Sequence, residues 1–323
     1  MAASAEFASC YTWPNPAFPF RLYFDHPRLR IFIIENIFHN FLWMKKHATG
    51  IRPTDHFFVI LGWQHDDWHA LHSKQAIQAC DLPLENFTIL GNNYEDLIIF
   101  RDHGFSCIVV NNNCWLDSEK FAILSERQKL YDAIYVARLT PFKRHYLAQE
   151  VPNLALVVGE LHGGSTADYT PPHAYKNTQE LQDDEVLIKI NQSRCGLILS
   201  DKEGACYASS EYLLCGLPVV STHSLGGRST WYNSYNSIIA DATPQSVARA
   251  VKTMIDANPC PHKIRRQHIM LSQLFRQAFI DHLQSVFQIH HINEDANQYF
   301  RRTYFHKMRN SLEPDFESLF PTP

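Results

Sequence analysis

The run LILSDKEGACYASSEYLLCGLPVVST, residues 197–222, decides the fold. With the two residues before it, CGLILS (195–200) is a short apolar run closed by the turn-forming DKEG, and it predicts a buried strand. The next residues, ACYASSEYLLC (205–215), place small and polar side chains first and apolar ones last, as in a helix near 206–215. Gly216 stands where a helix keeps its C′ residue, and Pro218 just beyond prevents continuation. LPVVS (217–221) then reads as a second strand. A strand, a helix and a strand in so short a stretch is the unit of a parallel α/β sheet.

Working outward, the same alternation fills the chain. Upstream of residue 111 the sequence predicts a strand at FRLYF, a helical stretch near 31–48, a strand at HFFVILGW, a helix near 67–80, a strand at NFTIL, a helix near 94–103 and a strand at FSCIVV. The polar, turn-forming NNNCWLDSEKF and the charged SERQKLYD place a boundary between about 111 and 130. Alternation restarts with DAIYVARL, a helix from about 142 to 150, NLALVVG, a polar insertion, a helix near 179–194, and the opening unit followed by NSIIA. The residues from PHKIRRQH onward read as helices. This gives a short first domain over 1–118, a second over 127–290, and a helical tail, 291–323, packing back across both. Two Rossmann-like halves would face a shared cleft, and ligands of such sheets bind beyond the carboxyl ends of the strands.

The 323 residues are 45% hydrophobic, too much for one typical core, which agrees with two domains. A net charge of −4 with 19% charged residues offers no global basic field, so nucleic acid is not an expected partner. The N-terminus lacks a basic segment followed by an apolar core, and nothing approaches the ~20 apolar residues of a membrane span. Eight scattered cysteines without C-x-x-C or zinc-like spacing read as reduced thiols. These features predict a cytoplasmic protein.

Glu203 lies just before the predicted helix N-terminus and Glu211 about two turns in, roughly 12 Å along the axis. Glycosidase carboxyls stand about 5–9.5 Å apart across one bond, so this pair suits an elongated ligand better. One carboxylate can hold hydroxyls at each end, while the helix N-terminus between them offers amides to an anion. A diol, a diphosphate and a second diol in a row describe a nucleotide-sugar. Upstream, in YVARLTPFKRHYL, Arg138 and Lys143 follow a strand, with Thr140 and Pro141 suited to begin the next helix. A fork donor and a point charge make a pyrophosphate clamp.

These runs, YVARLTPFKR, LILSDKEGACYASSEYLLCGLPVVST and the following GGR, resemble the retaining GT-B glycosyltransferases that carry an E-x7-E motif. CIVVNNNCWLDSEKF is similar to the hinge segment of that class. After Gly226 and Gly227 this chain has Arg-Ser-Thr-Trp, where an acidic residue is common in the class. The resemblance implies an α/β fold of GT-B architecture and a nucleotide-diphosphate sugar of UDP or GDP type as co-substrate. It implies that Glu203 contacts donor-sugar hydroxyls, Glu211 the nucleotide ribose, and Arg138 and Lys143 the diphosphate. Backbone amides of Gly204, Ala205 and Cys206 would complete the phosphate cradle, and Gly226 and Gly227 would approach the donor. It also implies retention of anomeric configuration by same-face attack. With two cations and a helix dipole on the diphosphate, no metal and no other cofactor is expected.

The segment QHDDWHALH (64–72) offers a rival, with His65, His69 and His72 near Asp66 and Asp67. That layout could hold a metal, but the aspartates also make good helix caps. His65 is carried instead as a residue that could reach the donor or acceptor. Trp13, Phe18 and Phe20 of YTWPNPAFPF could line an acceptor groove, and the basic, aromatic YFRRTYFHKMRN (299–310) could touch a membrane bearing a lipid-linked acceptor. The expected activity is transfer of a sugar to an unidentified acceptor. The alternatives are a non-catalytic nucleotide-sugar or carbohydrate-binding homologue, a metallohydrolase centred on 65–72, and a nucleotide-sugar epimerase.

Overall fold

The computed structural model describes residues 21–37, 41–124, 126–159, 169–309, 311–312 and 320. YTWPNPAFPF lies outside them, as does part of the polar insertion. The chain divides into two compact units, one made of Met1–Trp115 with Leu274–Pro323 and the other of Leu116–Gln273.

Among the described residues, the first unit holds five strands in the order β1 (Arg21–His26), β2 (Leu29–Glu35), β3 (His56–Ile60), β4 (Phe87–Gly91) and β5 (Ser106–Val109). β1 and β2 form an antiparallel hairpin around Pro27 and Arg28, and every later pairing is parallel. The helical stretch expected near 31–48 is therefore corrected. LRIFIIE is strand β2, buried along nearly its whole length, and helix α1 begins only at Phe41 (Phe41–His47). A run of β-branched and aromatic residues covered on both faces shows no alternation, and its spacing imitates a helix.

Helices α2 (Asp67–Gln78) and α3 (Tyr94–Asp102) follow β3 and β4. Asp66 caps α2 by accepting from the His69 amide, and Asn93 caps α3 through the Asp96 amide. One sheet face, with Phe32, Phe57, Val59, Phe87 and Ile89, packs with Ala70, Ile77 and Phe100 of these helices. The alternate residues face the end of the chain. Phe58 meets Phe279 at 4.9 Å between ring centroids, Phe24 meets Phe287 at 4.7 Å, and Trp115 meets Phe279 at 5.2 Å.

Among the described residues, the second unit holds a six-stranded sheet. Its strands are β6 (Ala133–Val136), β7 (Leu154–Val157), β8 (Tyr175–Lys176), β9 (Gly196–Ile198), β10 (Val219–Thr222) and β11 (Ser237–Ala240). Their spatial order is β11-β10-β9-β6-β7-β8, and all pairings are parallel. Helices α4 (Asp183–Asn191), α5 (Tyr207–Leu214) and α6 (Pro244–Ala257) cross between or follow strands. The chain builds outward from β6 to β7 and β8, then returns to add β9, β10 and β11 on the other side. The winding thus reverses between β6 and β9, the point where open α/β sheets bind ligands.

Helix α7 (Pro261–Ile289) carries the chain from the second unit to the first, and α8 (Ala296–Thr303) follows. The domain limits drawn from sequence shift accordingly. The second unit ends at Gln273 rather than 290, and the segment grouped with the first sheet begins at Leu274 rather than 291. The cause is apolar: Phe279, Leu283 and Phe287 on α7 and Tyr299 and Phe300 on α8 are buried.

Candidate functional site

Of the residues singled out from the sequence, Lys143 and Glu203 meet in an ion pair beyond the ends of β6 and β9. β6 ends at Val136, and the next residues run through Arg138 to a tight turn, Pro141–Lys143, then a second turn, His145–Ala148. A regular helix was expected from about 142 to 150. Instead Arg144 sits between the turns in the left-handed region, φ 53° and ψ 47°, and breaks the helical path. Thr140 makes no side-chain cap bond. The arginine is held there by its own guanidinium, which donates from Nε to the Leu199 carbonyl at 2.7 Å and from Nη2 to Thr222 Oγ1 at 2.7 Å. Tyr135 of β6 donates its hydroxyl to the Lys143 carbonyl at 2.7 Å, fixing the turn that carries the lysine.

β9 ends at Ile198, and Ser200 and Glu203 lie on the turn beyond it. Lys143 Nζ forms an ion pair with Glu203 Oε1, the two side chains being 11% and 14% exposed. Ser200 Oγ donates to the same Oε1 at 2.8 Å. Among the described residues, Glu203 Oε2 receives no hydrogen bond. One oxygen of this carboxylate is thus committed to the protein and the other remains available.

The loop after β10 is latched to the Glu203 turn by backbone bonds. Glu203 N donates to Leu225 O at 3.0 Å, Leu225 N to Asp201 O at 3.0 Å, and Gly227 N to Gly204 O at 2.7 Å. Gly226 adopts φ 100°, which an L side chain rarely takes, so the loop needs glycine there. Gly204, Ala205 and Cys206 form the turn into α5, and Cys206 enters the helix at φ 60° and ψ 87°. Burial and the charge on Glu203 push the Cys206 thiol up to about 11, against the opposite pull of Lys143 and Arg228. Glu211 lies within α5 and is buried.

Sequence reasoning passed over Arg228. Only 1% exposed, it donates from Nη1 to both Ser200 O and Ser200 Oγ at 2.7 Å and from Nη2 to Thr222 O at 2.5 Å. Its signal was visible in the GGR run, where a basic residue replaces the acid of the resembling class. Arg144, one residue past Lys143, is given no role by motif or resemblance. Arg138 is exposed and makes no ion pair among the described residues.

Hydrogen bonds through Ser200, Thr222 and Leu199 therefore join three cations, Lys143, Arg144 and Arg228, to a single carboxylate, Glu203. The excess of positive charge sits at the carboxyl edge of a sheet in a chain whose net charge is −4. Such a network suits an anion of about two charges.

Structures of known proteins repeat this arrangement of strands and helices. HepE of Anabaena, solved with UDP, aligns at a TM-score of 0.55 and 13% identity over 72% of this chain and 72% of HepE. The fold is GT-B. TarM of S. aureus aligns to this GT-B chain at a TM-score of 0.58 and 12% identity over 78% of it, covering 54% of TarM. The sucrose-phosphate synthase of Thermosynechococcus elongatus aligns at 0.55 and 11% identity over 86% of the chain and 77% of the synthase. By sequence, no family model and no curated protein matches the GT-B chain.

The histidines of 64–72 lie in the first unit of the GT-B fold. His65 is buried, with Nδ1 2.8 Å from the Trp63 carbonyl, and stacks parallel to the Trp63 ring. His69 Nδ1 lies 2.5 Å from Asp66 Oδ1, and His72 Nδ1 lies 2.7 Å from the Trp68 carbonyl. These contacts are capping and packing. Among the described residues, no three His, Cys, Asp or Glu side chains are grouped to hold a metal. Among them, too, no helix is long and apolar enough to cross a membrane.

Proposed function

We propose that this chain is a retaining, metal-independent glycosyltransferase that moves a sugar from a nucleotide-diphosphate sugar to an acceptor. The observation that carries the reading is the charge network at the reversal point of the second sheet: three cations, one carboxylate with a spare oxygen, and a helix start between Glu203 and Glu211. The GT-B fold and the UDP held by HepE, a structural neighbour, support it.

In this reading Lys143 and Arg138 bind the diphosphate, aided by the amides of Gly204 to Cys206. Glu203 Oε2 accepts a hydroxyl of the donor sugar, and Glu211 accepts the ribose hydroxyls. Gly226 and Gly227 give the ligand a close backbone approach. When the sugar–phosphate bond breaks, negative charge grows on the leaving phosphate while the sugar takes on oxocarbenium character. Fixed cations aimed at that charge stabilise the transition state more than the ground state, each removal costing a few kcal/mol. The same cations can neutralise a diphosphate without a divalent ion. The acceptor attacks the face from which the phosphate departs, and the phosphate takes the acceptor's proton.

The experiment is release of nucleoside diphosphate from UDP-, GDP-, ADP- and dTDP-sugars across an acceptor panel, with and without EDTA, and anomeric analysis of the product. Turnover that survives EDTA, gives a retained anomer and is abolished by Glu203→Ala is expected. Donor binding without release across the panel would instead favour a binding protein.

A further inference from the structure

We propose that Arg228, acting through Ser200, is a positioning residue that sets which oxygen of Glu203 is offered to the donor sugar. The inference rests on the donor-site reading above. It concerns two residues to which neither motif nor resemblance gives a role.

A serine hydroxyl has one proton to give and two lone pairs to receive. Arg228 Nη1 approaches Ser200 Oγ at 2.7 Å, and a guanidinium can only donate. The hydroxyl must accept there, so its single proton is free to point elsewhere. Glu203 Oε1, at 2.8 Å, is where it points. A buried cation beside a hydroxyl also polarises it, which strengthens the bond it donates to a carboxylate. Ser200 and Lys143 are both on Oε1, and among the described residues Oε2 receives no hydrogen bond.

Arg228 is itself anchored for this task. Its other bonds go to the Ser200 and Thr222 carbonyls, at the ends of two neighbouring strands, and the Gly227 amide next to it holds the Gly204 carbonyl. Among the described residues its three acceptors are neutral oxygens, although Arg228 is only 1% exposed. A buried cation usually demands a counter-charge. Here the nearest one in its hydrogen-bonded network is Glu203, reached through the serine. The arrangement is a relay in which one arginine both orders the serine and draws charge compensation from the carboxylate beyond it.

The consequence is selective. Ser200 and Arg228 should matter for the sugar half of the donor and little for the nucleotide half. The test is calorimetric binding of one donor, UDP-glucose or whichever of UDP-GlcNAc, GDP-mannose and ADP-glucose the wild type binds most tightly, set against binding of its nucleoside diphosphate alone. Ser200→Ala is expected to weaken the donor about ten-fold, the scale of one hydrogen bond to a charged group, and to leave the nucleoside diphosphate within about two-fold. Ser200→Thr, which keeps the hydroxyl, is expected to restore donor binding. On a Glu203→Ala background Ser200→Ala should cost less than about two-fold, because the serine then has no carboxylate to position. Arg228→Met should repeat the Ser200→Ala pattern; since it can also disturb folding, the serine variants decide the matter. Equal losses for donor and nucleoside diphosphate, losses that multiply on the Glu203→Ala background, or no rescue by threonine would overturn the proposal. A wild type that binds none of the four donors would instead remove the donor-site reading on which it stands.

Discussion

Lys143 and Glu203 are each other's partners, and both are assigned to the same ligand. A diphosphate must therefore compete with Glu203 for the ammonium, while a donor sugar needs the carboxylate. Glu203→Gln is expected to tighten a nucleoside diphosphate by about two- to five-fold and to weaken the intact donor, since the freed ammonium is charge-assisted toward phosphate. Calorimetry on both ligands checks it, and a loss of nucleoside diphosphate affinity would contradict the competition. A second residue, Gly196 of β9, lets the Tyr212 ring approach the backbone closely. A Cβ there would lie 2.2 Å from Tyr212 Cδ2, and Tyr212 accepts a 2.7 Å bond from the Val136 amide at the end of β6. Gly196→Ala should cost about 3 kcal/mol by overpacking, read as a lower denaturant midpoint; a change under about 1 kcal/mol would show that the ring can move aside. Glu203, Lys143 and the GG pair stand out as candidates in the sequence because they sit in distinctive runs. Arg228 and Arg144 do not, because an arginine bound to carbonyls leaves no pattern in sequence: its partners, at 199, 200 and 222, are brought near only by the sheet.

At the scale of elements, two buried groups of the first unit titrate in opposite senses. His56 on β3 lies 3.1 Å from Thr88 Oγ1, which lies 3.0 Å from His282 Nε2 on α7. Burial, with His282 and His290 nearby, lowers His56 to about 3. It is neutral in the fold, and the unfolded chain takes up a proton below about pH 6.5, so this contribution is present above that pH and is lost as pH falls toward 3. By pH 5 the loss is about 2 kcal/mol. Asp96 on α3 is raised to about 6 by burial, despite bonds from the Asn92 and Asn93 region. Its charge costs stability increasingly as pH rises from about 4 to 6, by about 2–3 kcal/mol once ionised. Asp96→Asn is thus expected to raise stability at pH 7 and to steepen the loss on acidification, while His56→Gln flattens that loss. Urea titrations at pH 5 and 7 separate the two, and a wild-type-like slope in both variants would contradict the assignment. Strands with clean flanks and the capped helices α2 and α3 were readable. Helix α6 carried its signal in the open, with Thr243 as cap and Pro244 in the first turn, and was not singled out. The Arg144 break and β2 were misread because long-range bonds decided the first and two-sided burial disguised the second.

Across the whole molecule, the division into two units is set by where apolar faces find cover. The sequence predicts alternation through NSIIA (236–240) and a helical end from PHKIRRQH onward, but nothing local says that α7 changes allegiance at Gln273. That follows from Phe279, which is fully buried and packs on Tyr23, Phe58 and Trp115 of the first unit. Phe279→Ala should destabilise the first unit by about 3–5 kcal/mol and leave nucleoside diphosphate binding by the second unit unchanged. Monitoring unfolding alongside calorimetry checks both halves, and lost binding at a pH and temperature where the second unit is folded would contradict the separation.

The central claim is that the reversal point of the second sheet holds the diphosphate of a nucleotide-sugar. Its most direct test is a crystal structure of the chain with a hydrolysis-resistant donor analogue. The expected density places the phosphates within hydrogen-bond distance of Lys143 Nζ and the Arg138 guanidinium, with a sugar hydroxyl on Glu203 Oε2. An analogue bound elsewhere, with the Lys143–Glu203 pair intact and Glu203 Oε2 unused, would contradict the account.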